Sequence, residues 1–121
     1  MNETKTLLKK MCEAIEDKKG ENILVLDIST ISSFTDFFVI CHGFNARQNQ
    51  AISDEIKERL KREDSISPAH IEGYQSAEWI LMDYMDCIVH IFSPEAREFY
   101  KLERLWNDGE IIKSPAQVAN A

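Results

Sequence analysis

The chain has no run approaching the about 20 apolar residues that cross a bilayer. Its opening residues, Met1 to Lys10, lack the pattern of a secretory leader. Neither secretion nor membrane insertion is expected, and the bacterial cytoplasm is the expected address. Cysteine is scarce. Cys12, Cys41 and Cys87 are an odd number with no C-x-x-C pair, each inside an apolar pattern, which excludes a disulfide framework and leaves reduced, buried thiols. His42, His70 and His90 are scattered without ligand spacing, so no metal site is expected. Positive charge is also in short supply, with 14 Lys and Arg against 21 Asp and Glu, a formal charge of -7. Affinity for nucleic acid rests on cationic side chains that displace counterions, so little direct RNA contact is expected. A basic protein, by contrast, is attracted to such a surface.

The 121 residues suit a single domain, and the 44% of hydrophobic residues suffice to bury a core. Apolar residues at three- and four-residue steps (Leu7, Leu8, Met11, Ala14, Ile15) predict a helix over Thr4 to Lys18, stopped by Gly20. Ile23 to Leu26 and Phe37 to Cys41 read as buried strands. Asn45, with Gln48 three positions on, caps a second helix whose buried stripe is Ile52, Ile56 and Leu60. A weak strand around Ala69 to Gly73 precedes a hairpin, Glu78 to Met82 and Cys87 to Phe92, across the short gap Asp83 to Asp86. Ser93, Pro94 and Glu95 open a last helix, which presents Phe99, Leu102 and Trp106. The order implies a two-layer α/β sandwich, with a mixed sheet of about five strands and helices packed on it. The domain is expected over 1–112, with a flexible tail over 113–121.

Three blocks carry a family resemblance. Ile28 to Ala51 contains T-D-F-F-V-I, then Gly43 and the pair Arg47-Gln48; Glu72 to Asp83 reads E-G-Y-Q-S-A-E-W-I-L-M-D, followed by D-C-I-V-H-I-F from Asp86; and Arg97 to Trp106 reads R-E-F-Y-K-L-E-R-L-W. In this order and spacing they resemble the Iojap-like ribosomal silencing factor family. Met85 stands where the family usually has glycine, which puts the backbone shape of that turn in question. His42 replaces the usual small hydroxyl residue. The resemblance implies a nucleotidyltransferase-like fold without a cofactor, a homodimer when free, and binding to the large ribosomal subunit through ribosomal protein fourteen. Subunit joining would thereby be blocked when nutrients are short.

In a strand, Trp79, Leu81 and Asp83 share one face while Ile80 and Met82 take the other. A large aromatic with an acid at its rim suits contact with a basic protein, and Trp79→Ala is expected to abolish capture with melting almost intact. The bland alternative is a tryptophan filling the core beneath a helix. Glu72, Tyr74, Glu78 and Asp86 lie near the same hairpin, and Phe99, Tyr100 and Glu103 near the last helix, so these are the further contact candidates. Asp36 is expected to bond local amides in a turn, and His90 to be a buried neutral imidazole on the face opposite Cys87. No catalytic residue is expected. The rival reading is a nucleotide site over Thr35 to Gly43, but Gly43 is followed by Phe44 rather than serine, and no D-x-D or D-x-E triplet is expected on a neighbouring strand.

Overall fold

The computed structural model describes residues 2–101 and 110–112. Helix α1 (Asn2–Asp17) ends where Gly20 N–H reaches the Ile15 carbonyl and Lys19 N–H reaches Glu16. The left-handed residue of this turn is Lys19, at φ 66°, and not Gly20. Glycine serves there for closeness instead, because a Cβ on Gly20 would lie 2.4 Å from Ile15 Cγ2.

Strands β1 (Glu21–Asp27) and β2 (Phe37–His42) pair antiparallel. Helix α2 (Ala46–Asp64) follows, then β3 (His70–Glu72), β4 (Trp79–Asp83), β5 (Cys87–Phe92) and the short helix α3 (Pro94–Tyr100). The order across the sheet is β3-β4-β5-β2-β1-β6, with β2 and β5 parallel and the other neighbours antiparallel. This is the mixed α/β sheet expected from the sequence, with one strand more. β6 (Glu110–Ile112) pairs with β1, inside the stretch where sequence reads loss of pattern from Ile111 onward. A three-residue edge strand is too short to show alternation. The last helix is also shorter than the pattern Phe99, Leu102, Trp106 implies. It ends at Tyr100, with Lys101 at φ 48° returning its N–H to Arg97; Leu102, Glu103 and Trp106 lie outside the described residues.

The pleat sorts the sheet into two unlike faces. Val25, Val39, Cys41, Ile80, Met82, Cys87, Val89 and Ile91 meet Leu8, Met11, Ile15, Ile52, Ile56 and Leu60 of α1 and α2 in the larger core. Burial there pushes all three thiols up to about 12, so they stay protonated at neutral pH. The other face groups Leu26, Ile28, Phe38, Ile40, Ile88 and Phe92 with Ala96 of α3, and Leu24, Trp79 and Leu81 lie at its margin. Among the described residues α3 is the helix that covers part of this second face.

Candidate functional site

Strand β4 runs between β3 and β5, and its alternation is the one the sequence predicts: Ile80 and Met82 are fully buried towards α1 and α2, while Trp79, Leu81 and Asp83 are half-buried on the second face. Register then fixes their neighbours. Trp79 lies opposite Phe92, Leu81 opposite His90 on one side and Glu72 on the other, and Asp83 opposite Ile88 and His70. The indole is clamped from several directions. Its Nε1 donates to His90 Nδ1 at 3.0 Å, and its ring centroid stands 5.0 Å from Phe92 and 4.6 Å from Tyr100.

Of the predicted contact residues, the structure gathers Trp79, Leu81, Asp83, Glu72 and Tyr100 on or beside this face. Phe99 is 79% exposed and meets Tyr100 edge-on, which places a second aromatic at its border. Glu78 is exposed just before β4, and its carbonyl accepts Ser93 N–H. Asp86 is exposed at the far end of the hairpin, where its carbonyl accepts the N–H groups of Asp36 and Phe37. Asp36 is thus tied into the fold through its backbone, its N–H donating to the Asp86 carbonyl and its own carbonyl accepting Ile28 N–H.

Tyr74 goes elsewhere. Its ring packs on the helix-side core and its hydroxyl donates to Asp54 of α2, at 3.0 Å and 3.1 Å from the two carboxylate oxygens. It belongs to the anchorage of the β3–β4 loop. The same loop is held by Asn49 Nδ2, which donates to the Ala77 carbonyl, and by Gln50 Nε2, which donates to the Tyr74 carbonyl. Sequence missed His70, Phe38 and Phe92 as parts of the site. His70 Nε2 sits 3.3 Å from Glu72 and 3.6 Å from Asp83, so an imidazole stands among the rim acids. The alternation of β5 opposes His90 and Phe92 to Cys87 from sequence alone, but only strand register brings them under Trp79.

Asp83 has a second task, since its Oδ1 accepts Met85 N–H and closes the turn. Met85 takes φ 73°, the conformation that glycine adopts cheaply, and its side chain is 67% exposed with little packing to lose. Met85→Gly is therefore expected to raise stability by about 0.5–1 kcal/mol, read as a higher melting temperature.

His90 is 3% exposed, and burial pushes its pKa from 6.5 to about 3. Between those values the unfolded chain binds a proton that the native state refuses, so this contribution is complete above about pH 6.5 and shrinks as pH falls. At pH 5 the loss is about 2 kcal/mol. Urea unfolding at pH 7.5 and pH 5 should show this decrement in the parent and not in His90→Asn.

Where the rival nucleotide site would lie, Gly43 N–H is taken by the Phe92 carbonyl, Phe44 N–H by Gln48 Oε1 and Gln48 N–H by Asn45 Oδ1, so these three amides are not available to an anion. Gln48 also donates from Nε2 to the Lys18 and Lys19 carbonyls at 3.1 Å and 2.9 Å, and so joins the start of α2 to the end of α1. No group of three acids, histidines or cysteines able to hold a metal occurs among the described residues.

The family model described as "Ribosomal silencing factor during starvation" matches residues 1–121. The chain belongs to the ribosomal silencing factor family. It is 42% identical over 107 residues to the ribosomal silencing factor of Bacillus subtilis, covering 88% of this chain and 90% of that protein. To the ribosomal silencing factor of Halalkalibacterium halodurans it is 40% identical, covering 88% and 91%. A crystal structure from Chromobacterium violaceum superposes with a TM-score of 0.81 at 33% identity, covering 84% of each chain. One from Bacillus halodurans gives 0.77 at 38%, covering 89% of this chain and 97% of that one. The chloroplastic Iojap protein of Zea mays is 30% identical, with 45% of its length covered. The shared α/β architecture and the family therefore agree, and the two bacterial relatives carry the name ribosomal silencing factor.

Proposed function

We propose that this family member docks on the large ribosomal subunit through the second face of its sheet, meeting ribosomal protein fourteen and sterically blocking subunit association when nutrients are short. The observation that carries this reading is the half-buried pair Trp79 and Leu81 at the margin of an otherwise buried apolar cluster, beside the exposed acids Glu72 and Glu78. An aromatic anchor with an acidic rim fits a basic protein, and a formal charge of -7 disfavours the surrounding RNA. Occlusion needs no catalytic group or cofactor. When free, the protein is expected to pair with a second copy, which equilibrium sedimentation would show as twice the chain mass.

The direct test is sedimentation with purified subunits. Co-migration with the large subunit and a fall in joined ribosomes are expected; migration with neither subunit, or unimpeded joining, sinks the reading. Glu72→Lys probes the charge. The side chain is exposed at an edge strand, so stability should change by no more than about 0.5 kcal/mol. Capture should weaken by about three- to tenfold at low salt, with the difference shrinking as salt rises. Calorimetric titration with nucleotides and Mg²⁺ is expected to give no heat of binding, and clear micromolar binding would favour the nucleotide-site rival.

A further inference from the structure

His90 sits at the centre of β5 beneath the exposed margin of the second face, where it touches three aromatic rings. Phe38 meets it edge-on at 4.6 Å, Phe92 lies parallel at 6.2 Å, and Trp79 stands tilted at 5.9 Å between centroids. The indole nitrogen is a donor and never an acceptor, so the 3.0 Å bond from Trp79 Nε1 requires a lone pair on His90 Nδ1 and places the ring proton on Nε2. Nε2 itself is buried and has no hydrogen-bond partner among the described residues, which leaves Nδ1 as the atom through which this ring acts on its surroundings. Phe92 and Tyr100 supply apolar contact to the indole, and the hydrogen bond adds direction to it.

We propose that His90 is a positioning residue for docking: by accepting the indole N–H it holds Trp79 in one rotamer, so that the ring offers its carbon surface, and no donor, to the partner. This rests on the docking role given to Trp79 above. A half-exposed ring fixed before the encounter loses little freedom on binding. With its N–H already bonded inwards, the indole recognises an apolar side chain or a cation laid against its ring rather than a carbonyl aimed at Nε1. Burial keeps His90 neutral throughout the physiological range, so the acceptor is always present.

The test uses the full chain, purified large subunits and three substitutions. His90→Leu removes the acceptor, His90→Asn keeps an oxygen near the position of Nδ1, and Trp79→Ala removes the ring and assigns its indole resonance by absence. His90→Leu is expected to shift the Trp79 Nε1–H resonance, to speed its exchange with water and to weaken capture about tenfold. His90→Asn should restore all three, and His90→Leu should add nothing once Trp79 is alanine. If His90→Leu does not fold, His90→Phe fills the same aromatic slot without an acceptor and makes the same comparison. An unmoved resonance, or undiminished capture by His90→Leu while Trp79→Ala loses it, overturns the positioning role alone. Undiminished capture by Trp79→Ala overturns the docking reading as well.

Discussion

Gly73→Ala is expected to destabilise the protein by about 3 kcal/mol or more, the largest stability loss foreseen for a single methyl group in this fold. Gly73 has φ 79°, and a Cβ built on it would lie 2.0 Å from the Trp79 carbonyl oxygen and 3.1 Å from its carbon. Both contacts are with backbone, so no rotamer change relieves them. The chain must move at the mouth of the β3–β4 loop, where the Gly73 carbonyl accepts Ala77 N–H and where Asn49 and Gln50 bind the same segment from α2. The strand that carries the proposed docking residues starts at Trp79, two positions after Ala77. Urea unfolding measures the loss, with Gln75→Ala at an exposed neighbouring position as the control. A decrease of less than about 1 kcal/mol would show that the loop absorbs the methyl group and that the close approach is not binding.

Trp79→Ala should weaken capture of the large subunit by about 30- to 100-fold, the range of a dominant anchor in a protein interface. The tertiary structure revises the accompanying expectation that melting stays almost intact. Removing the ring strips Phe92 and Tyr100 of a neighbour and leaves the buried Nδ1 of His90 without its donor, so a stability cost of about 2–3 kcal/mol accompanies the binding loss. The two effects are separated by Ile80→Ala on the same strand. Ile80 is fully buried towards α1 and α2, so its truncation destabilises by at least as much while leaving the proposed docking face in place. Retained capture by Ile80→Ala at low temperature, together with lost capture by Trp79→Ala, assigns the binding effect to the indole. Equal losses in both would return Trp79 to a structural role.

Much of this was legible in sequence because it depends on periods of two and three to four residues. The spacing of Leu7, Met11 and Ile15, the Asn45 cap with Gln48, and the alternation of Trp79 and Leu81 against Ile80 and Met82 each express a local rule, and each stands in the fold. Tyr74 escaped such rules. It sits in a loop with no period, and its assignment to α2 through Asp54 depends on a contact 20 residues away in the chain. Met85 shows the reverse case, since its departure from glycine raised a doubt about the turn, and the backbone adopts the positive φ regardless, closed by Asp83.

The sequence by itself determined the class of fold, the family, the acidic surface and the pair of side chains that face away from the helices, because composition, motif order and strand alternation need no knowledge of pairing. Only the tertiary structure decided what lies beneath that pair. Register sets Trp79 against Phe92 and Leu81 against His90, and α3 brings Tyr100 to the indole. Register is a relation between segments, fixed by which faces can be buried together, and no single strand carries it.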